Sequence, residues 1–243
     1  MRKGLSLTTL AVFFIALLYS SVGHAGASGY IAIMSLFSLT PEFIKPAALT
    51  LNILVASIGT WHFWRAGHFS WGLFWPLALL AIPCAFLGGY INLPVTIFKI
   101  IVGMVLLFSA VRFLMPSSGE SAVSPPPKWL AVFTGAGLGF LAGLTGTGGG
   151  IFLSPVLMLM HWANTKTTAA TSVFFILVNS IAGLLGHISS TKSVPLFILP
   201  LAVAVIAGGA LGSYWGSHRL PQSTIKRLLA IVLTIAGIKL ILD

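Results

Sequence analysis

Residues 143–150, Gly-Leu-Thr-Gly-Thr-Gly-Gly-Gly, constrain the fold of this chain more than any other stretch. Five of these residues are glycine, and each glycine inside a helix costs about 0.8–1 kcal/mol relative to alanine. The stretch nevertheless lies between two apolar segments, residues 129–142 and 151–162. Lipid cannot satisfy the backbone amides that a broken helix releases, so such a break must line a cavity within the protein. The sequence therefore predicts a transmembrane helix that is broken at this point.

The composition places the chain in a membrane. Of its 243 residues, 57% are hydrophobic and 7% are charged, and the mean hydropathy is +1.04. A soluble domain carries about 25% charged residues. Lysine and arginine number 13 against three acidic residues, which favours an anionic over a cationic substrate. The basic residues are scattered rather than clustered on one face, so we expect no nucleic-acid partner.

Ten apolar segments follow one another along the chain. Six have about 18–22 residues, enough to cross a hydrocarbon core of about 30 Å: residues 47–64, 71–91, 95–114, 167–187, 194–215 and 225–242. The other four form two short pairs, residues 5–19 with 30–39 and residues 129–142 with 151–162. Short, glycine-interrupted segments at matching positions in two halves are typical of a transporter's binding site.

A polar linker with four prolines, residues 116–128, separates residues 1–115 from residues 129–243. The two halves resemble each other in four places, in the same order: 93–99 with 220–226, 86–90 with 210–214, 23–29 with 143–149, and Lys45 and Thr50 with Lys166, Thr171 and Ser172. Such an ordered set of matches indicates an internal duplication. It also argues against removal of the N-terminal segment, although Arg2-Lys3, an apolar run and Ala25-Gly26-Ala27 imitate a signal peptide.

The predicted fold is an all-α polytopic membrane protein. We expect about eight transmembrane helices in two homologous four-helix halves, with the first and fifth helices broken at glycine-rich segments. Five crossings per half, instead of four, is the alternative. The basic residues divide almost evenly between the two sides in both arrangements, so the positive-inside rule does not give the orientation. An even number of crossings per half gives parallel repeats and an odd number gives inverted ones.

These features resemble those of the sulfite exporter TauE/SafE family. The resemblance rests on the paired glycine breaks, on Lys166-x4-Thr171-Ser172, on the repeated Leu-Pro-x4-Lys and on the duplicated helices, and it covers essentially the whole chain. It implies a bacterial inner-membrane permease for sulfite, sulfoacetate and related small anions. The first break has fewer glycines than the second and contains His24, so the two halves are not expected to have equal roles.

The second break supplies the main candidate binding residues. Backbone N–H groups in a glycine-rich turn before a helix form a concavity that binds anions, and threonine hydroxyls add donors. These residues are Thr145, Gly146, Thr147, Gly148, Gly149 and Gly150. Close helix packing through small residues is the competing interpretation.

The other candidate binding residues lie outside that stretch. His24, Gly26, Ser28 and Gly29 form the corresponding first break, and Asn52, Thr171, Ser172 and Asn179 are polar groups within long apolar segments. Polar side chains in such segments usually face the interior of a bundle. Lys45 and Lys166 either attract an anion to the entrance or anchor helix ends in the membrane surface. The other five histidines lie near helix ends and are expected at the interface.

We expect a secondary transporter that exports small anions by alternating access, driven by the membrane potential or by proton coupling through His24. An anion-selective channel and a non-transporting scaffold subunit are the alternatives. The chain lacks the residue patterns of a metal site or a catalytic pair, so we expect neither enzyme activity nor a cofactor. The expected partners are a small anion and the lipid bilayer, and the sequence does not distinguish a monomer from a homodimer.

Overall fold

The computed structural model describes residues 2–21, 24–37, 39–114, 123–191, 198–216 and 222–242. These residues contain ten α-helices and no β-strand: α1 Arg2–Ser21, α2 Ala27–Leu36, α3 Pro41–Arg65, α4 Trp71–Tyr90, α5 Val95–Leu114, α6 Lys128–Thr145, α7 Gly150–Leu159, α8 Thr165–Thr191, α9 Ile198–Gly216 and α10 Gln222–Leu242. The helical class predicted from the sequence is confirmed. Within the described part of the chain, four stretches are long and apolar enough to cross a membrane: Glu42–Arg65, Trp71–Tyr90, Lys128–Thr145 and Lys166–Thr191.

Both predicted glycine breaks are present. Helix α6 ends at Thr145, and Gly146, Gly148 and Gly149 have φ angles of 80°, 74° and 84° before α7 begins. These left-handed conformations are accessible to glycine at little cost, whereas a Cβ atom would strain them. In the first break, Gly26 has φ 99° and precedes α2 in the same way.

At each break the chain turns back instead of continuing in one direction. A Cβ placed on Gly29 of α2 would lie 2.7 Å from the ring of Tyr19 in α1, which is possible only if α2 folds back on α1. The second break closes a similar hairpin, because the N–H of Ser124, before α6, donates to the carbonyl of His161, after α7, at 2.9 Å. The prediction that each pair forms one broken transmembrane helix is therefore wrong.

The directions of the long helices agree with this reversal. Phe69, before α4, contacts Phe174 near the start of α8, and a Cβ on Gly89 near the end of α4 would lie 2.7 Å from the carbonyl carbon of Gly183 in α8. Helices α4 and α8 thus run in the same direction. The α6 glycines meet α4 in register, Gly135 with Leu77, Gly139 with Ala81 and Gly143 with Ala85, so α6 runs the same way. Because α6 and α8 are parallel, α7 returns between them.

In the residues that the structure describes, α1–α5 and α6–α10 consequently form two sets of five helices that alternate in direction, instead of the predicted four helices per half. The packing of the halves is reciprocal: α4 packs against α6, and α9 packs against α1. Helices α3 and α8 cross at the centre, where Gly59 approaches Val173 and Gly183 approaches Leu49. Both contacts are related by the same shift of 124 residues. The crossing places the middle of α3 and α8 beside the glycine breaks.

Candidate functional site

The candidate site lies where the second break meets the crossing of α3 and α8. The Asn52 side chain on α3 donates from Nδ2 to the carbonyl of Thr147 at 3.2 Å and lies 3.4 Å from Ser180 Oγ on α8. A Cβ on Gly148 would lie 2.5 Å from Asn52 Nδ2 and 2.7 Å from Ser180 Oγ. Asn52 and Ser180 are both 0% exposed. Glycine at position 148 therefore allows the turn to pack directly against the buried Asn52 and Ser180 side chains.

Backbone N–H groups are the main donors at this site. Gly146 N donates to Ala142 at 2.9 Å, and Leu153 N donates to Gly149 at 3.0 Å. Between them, the N–H groups of residues 147–151 have no hydrogen-bond partner within the described part of the chain. They lie at the N-terminal, positive end of α7, where a negatively charged group is stabilised. The arrangement can bind an anion without a cationic side chain.

The two threonine hydroxyls of the break bond to each other and to α6. Thr145 Oγ1 donates to the Leu141 carbonyl at 2.7 Å. Its single hydrogen is used there, so Thr147 is the donor in the 2.9 Å contact between Thr145 and Thr147. These bonds hold the turn in place, and the hydrogens that remain for an anion are those of the backbone.

Three further candidate residues on α3 and α8 have buried polar atoms without a partner in the described residues: Asn52 Oδ1, Thr171 Oγ1 and Asn179 Oδ1. Asn179 Nδ2 donates to the Phe175 carbonyl of its own helix at 2.8 Å. Most buried polar atoms in proteins are hydrogen-bonded, and an unpaired one costs about 1–3 kcal/mol. Asn52 Oδ1 lies beside the second break, whose N–H groups also lack partners within the described residues, and this combination is the one expected at a binding site.

A serine that the sequence interpretation missed joins the first break to this region. Ser154 Oγ on α7 donates to Ser172 Oγ at 2.9 Å and lies 3.5 Å from His24 Nε2. Ser180 was missed as well. Both serines repeat at helical spacing, Ser154 four residues after Gly150 and Ser180 eight residues after Ser172. This spacing puts each of them on the face of a residue that the sequence did single out.

The first break is filled by tyrosine side chains. Tyr19 Oη and Ser28 Oγ are 2.7 Å apart, and Tyr30 Oη donates to the Ala25 carbonyl at 2.8 Å. A Cβ on Gly26 would lie 2.9 Å from the Tyr30 ring. The tyrosines are thus contacted by Gly26, Ser28 and Gly29. Of the candidate residues in this break, His24 is the one that lies close to Ser154. The two breaks are unequal, as the sequence indicated.

The register between the breaks also differs from the sequence alignment. Gly26 and Gly149 both cap a short helix with a positive φ, and they are 123 residues apart. The alignment of residues 23–29 with 143–149 used a shift of 120. With a shift of 123 residues, the turn at residues 146–149 therefore corresponds to residues 23–26, which include His24, Ala25 and Gly26.

A cavity of about 50 Å³ extends from His24 along the second half of α3. Its lining includes Ser20, His24, Val55, Gly59, His62 and Gly209. Because His62 is exposed, the cavity reaches the protein surface where α3 ends. It offers a route from that surface to the neighbourhood of Ser154 and Ser172.

Lys45 is buried near the start of α3, at the end of the helix opposite to this cavity. Its side chain is 5% exposed, and Nζ donates to the carbonyls of Gly88, Gly89 and Ile91 at 3.1, 2.9 and 3.0 Å. A cation on the last carbonyls of α4 stabilises the negative end of that helix. Lys45 is thus neither a membrane-surface anchor nor an attractor at an open entrance, whereas Lys166 is exposed.

His187 also differs from its predicted interfacial position. It is 3% exposed near the end of α8, and neither ring nitrogen has a hydrogen-bond partner in the described residues. His218 lies outside the described residues. Within the described residues, no group of three or more His, Cys, Asp or Glu side chains could hold a metal ion.

Apolar helices packed around a buried polar site at the start of a short helix are typical of membrane transporters. The chain belongs to the sulfite exporter TauE/SafE family, whose family model matches residues 8–240. This is a family of membrane transporters and not of enzymes, so the chain is a multi-pass membrane transporter with a small-molecule substrate in a lipid environment.

Curated relatives support the same class. The chain is 40% identical over 237 residues to the probable membrane transporter protein y4hK of Sinorhizobium fredii, covering 96% of each chain. It is 24% identical over 249 residues to the probable membrane transporter protein YjnA of Bacillus subtilis, covering 94% of this chain and 96% of the relative. YunE of the same organism is 35% identical over 106 residues, 44% of this chain and 38% of the relative. No solved structure matches the chain.

Proposed function

We propose that the protein is a secondary transporter that exports small anions, such as sulfite, sulfoacetate or related organosulfonates, from the cytoplasm across the bacterial inner membrane. The observation that carries the proposal is the row of unpaired N–H groups at residues 147–151, next to the buried Asn52 side chain. A sulfite or sulfonate group has three oxygens, and a turn of backbone amides can donate to several of them at once. Gly146, Gly148, Gly149 and Gly150 allow the close approach that these bonds require.

The polar side chains around the turn complete the proposed binding site. Asn52 and Ser180 lie on one side of Gly148, and Ser154, Ser172 and His24 lie further along α7. Thr171 and Asn179 add buried polar atoms on α8. Gly26, Ser28 and Gly29 support the first break and its tyrosines, while His24 contacts the anion or carries a coupled proton.

The driving force follows from the charge of the substrate. An inside-negative membrane potential favours outward movement of an anion by about 2.3 kcal/mol per charge per 100 mV. Such export requires no coupling carboxylate, and none of the polar side chains assigned to the site is acidic. Proton coupling through His24 is the alternative source of energy.

Alternating access is supported by the reciprocal packing of the two halves. We propose that residues 1–115 and 129–243 are inverted repeats of five helices each, with an odd number of membrane passes and joined by the linker 116–128, because adjacent helices alternate in direction. The cavity lined by His62 and His24 lies toward the end of α3, and Lys45 is buried near the start of that helix. We propose that rocking of the halves extends this cavity to the site from one side and then opens the site to the other side.

Purified protein reconstituted into liposomes tests the proposal. We expect efflux of sulfite from loaded vesicles, saturation with substrate, counterflow, and acceleration by a potential that is negative inside. Gly148→Leu, whose side chain would collide with Asn52 and Ser180, should abolish efflux. Flux without saturation or counterflow would identify a channel, and the absence of anion binding by the purified chain would identify a scaffold; either result contradicts the proposal.

A further inference from the structure

We infer that the transported anion carries its own hydrogen-bond donor, an O–H or N–H group, which bonds to Asn52 Oδ1. The inference rests on the proposed function, because it concerns the anion that binds at the start of α7. It narrows the substrate class from small oxyanions in general to oxyanions that both accept and donate hydrogen bonds. Protonated sulfite and hydroxyalkanesulfonates are members of this class, whereas simple alkanesulfonates and ionised sulfoacetate are not, so the inference removes sulfoacetate from the proposed substrates.

The orientation of the Asn52 carboxamide is fixed by its partner. A backbone carbonyl accepts hydrogen bonds and cannot donate, so the atom that lies 3.2 Å from the Thr147 carbonyl must be the NH₂ group. The remaining atom of the carboxamide, Oδ1, is an acceptor with no partner in the described residues. Because Nδ2 would be 2.5 Å from a Cβ on Gly148, the whole carboxamide lies beside the break.

The site therefore combines two kinds of unpaired group. The N–H groups of residues 147–151 need acceptors, and the oxygens of an anion supply them. Asn52 Oδ1 needs a donor, and an anion that has only acceptor oxygens would leave this buried atom unpaired. A site that bonds to a hydroxyl group of its substrate discriminates strongly against analogues without that group, because its own polar atom is then left without a partner.

The polar pair of Asn52 and Ser180 is present on only one side of the helix crossing. Under the shift of 124 residues that relates the α3 and α8 contacts, Asn52 corresponds to Ile176 and Ser180 corresponds to Ala56. The equivalent position by the first break is thus apolar, although the helix crossing itself is repeated. A polar pair is not required to make the crossing, so its presence beside Gly148 points to a ligand.

The test compares two anions of similar size on the full-length protein. In 2-hydroxyethanesulfonate and propane-1-sulfonate the sulfonate is the same, and a hydroxyl in the first replaces a methyl in the second. Binding is measured by titration calorimetry, and competition with sulfite efflux is measured in liposomes. We expect the hydroxyl compound to bind about 10- to 100-fold more tightly, which is the effect of leaving one buried acceptor unpaired.

Two variants test whether Asn52 is the residue that distinguishes the two sulfonates. Asn52→Leu should bring the two affinities to within about twofold, mainly by weakening the binding of the hydroxyl compound. The control is Thr60→Val on the same helix. Among the described residues, Thr60 Oγ1 is also buried without a partner, but Thr60 does not line the cavity or contact the break, so the preference should persist.

The outcomes separate this inference from the proposed function. Equal binding of the two sulfonates by the wild-type protein would overturn the inference and leave anion transport intact. A preference that survives Asn52→Leu would also overturn it, because the donor would then be recognised elsewhere. Failure of sulfite and both sulfonates to bind would contradict the proposed function itself. The wild-type comparison decides even if Asn52→Leu does not fold.

Discussion

Asn52 and Thr147 are 95 residues apart in the chain, and the Nδ2–H of the first donates to the carbonyl of the second at 3.2 Å. One residue lies in each half of the chain, so the polar contacts around Gly148 form only when α3 packs against the second break. The bond also turns the Thr147 carbonyl toward α3, which fixes the conformation of the turn that contains the unpaired N–H groups. A movement of one half relative to the other would change this contact directly.

The first prediction concerns Gly148. In Gly148→Ala the new Cβ would lie 2.5 Å from Asn52 Nδ2 and 2.7 Å from Ser180 Oγ, and the residue would keep a left-handed φ of 74°. We expect anion affinity to fall at least about tenfold, which corresponds to about 1.4 kcal/mol. Titration of the purified protein with sulfite measures the change.

Gly67→Ala is the matched control for Gly148→Ala. Gly67 has a similar φ of 71°, in the connection between α3 and α4, and a Cβ there would meet no atom within 4 Å. Both variants therefore carry a similar backbone strain of about 1–2 kcal/mol, but only one occupies the site. Equal loss of affinity in the two variants would show that strain, not occupation of the site, is responsible.

The second prediction concerns the packing of α6 against α4. A Cβ on Gly139 would collide with the carbonyl of Ala81, whereas a Cβ on Gly137, two residues earlier in α6, would meet no atom within 4 Å. Gly139→Ala should destabilise the protein by about 1–3 kcal/mol, because the helices must separate. Gly137→Ala should stabilise it by up to about 1 kcal/mol through higher helix propensity. Unfolding in detergent measures both, and effects of the same sign would contradict the close helix contact.

The third prediction concerns Lys45. Lys45→Met removes a cation that donates to three carbonyls at the end of α4, so we expect a loss of about 1.5–3 kcal/mol of unfolding free energy. Lys166→Met changes an exposed lysine of the next half and should alter stability by less than about 0.5 kcal/mol. Similar melting temperatures for the two variants would indicate that Lys45 is an ordinary surface anchor after all.

The glycine pattern allowed both breaks to be predicted from the sequence, because clustered glycines in an apolar chain are rarely compatible with a continuous helix. It did not give the direction of the chain after each break. Gly29 and Ile15 contact each other only because α2 reverses, and no local pattern encodes that contact. The distribution of lysine and arginine did not indicate the number of passes either, because these residues divide almost equally between the two sides of the membrane with four or with five passes per half.

Only part of the candidate site could be predicted from the sequence, again because local patterns do not encode contacts between distant segments. Gly148 and Asn52 were singled out as an unusual glycine and a polar residue in an apolar segment, and the structure brings them together. Ser154 and Ser180 were missed because a serine in a membrane helix often bonds to its own backbone and carries little signal. The position of Lys45 depends on the end of α4, which lies in another part of the sequence.

The last prediction tests the number of passes. If each half crosses the membrane an odd number of times, as the reversal at each break requires, the connection before α6 lies on the opposite side from the N-terminus and from the end of α10. If each half crosses four times, all three lie on the same side. A reporter active on one side only, such as an enzyme fused after α10 or inserted next to Ser124, distinguishes the two. We expect opposite readings at these positions. The Ser124–His161 bond shows that α6 and α7 form a hairpin, so the chain is on the same side of the bundle before α6 and after α7. The three remaining helices, α8–α10, then carry it to the other side.

A reporter next to Gly67, between α3 and α4, serves as the control for these readings. It should agree with the reporter next to Ser124, since α4 and α6 run in the same direction from that end of the bundle. Identical readings at Ser124 and after α10 would restore the four-pass arrangement and remove the basis for inverted repeats.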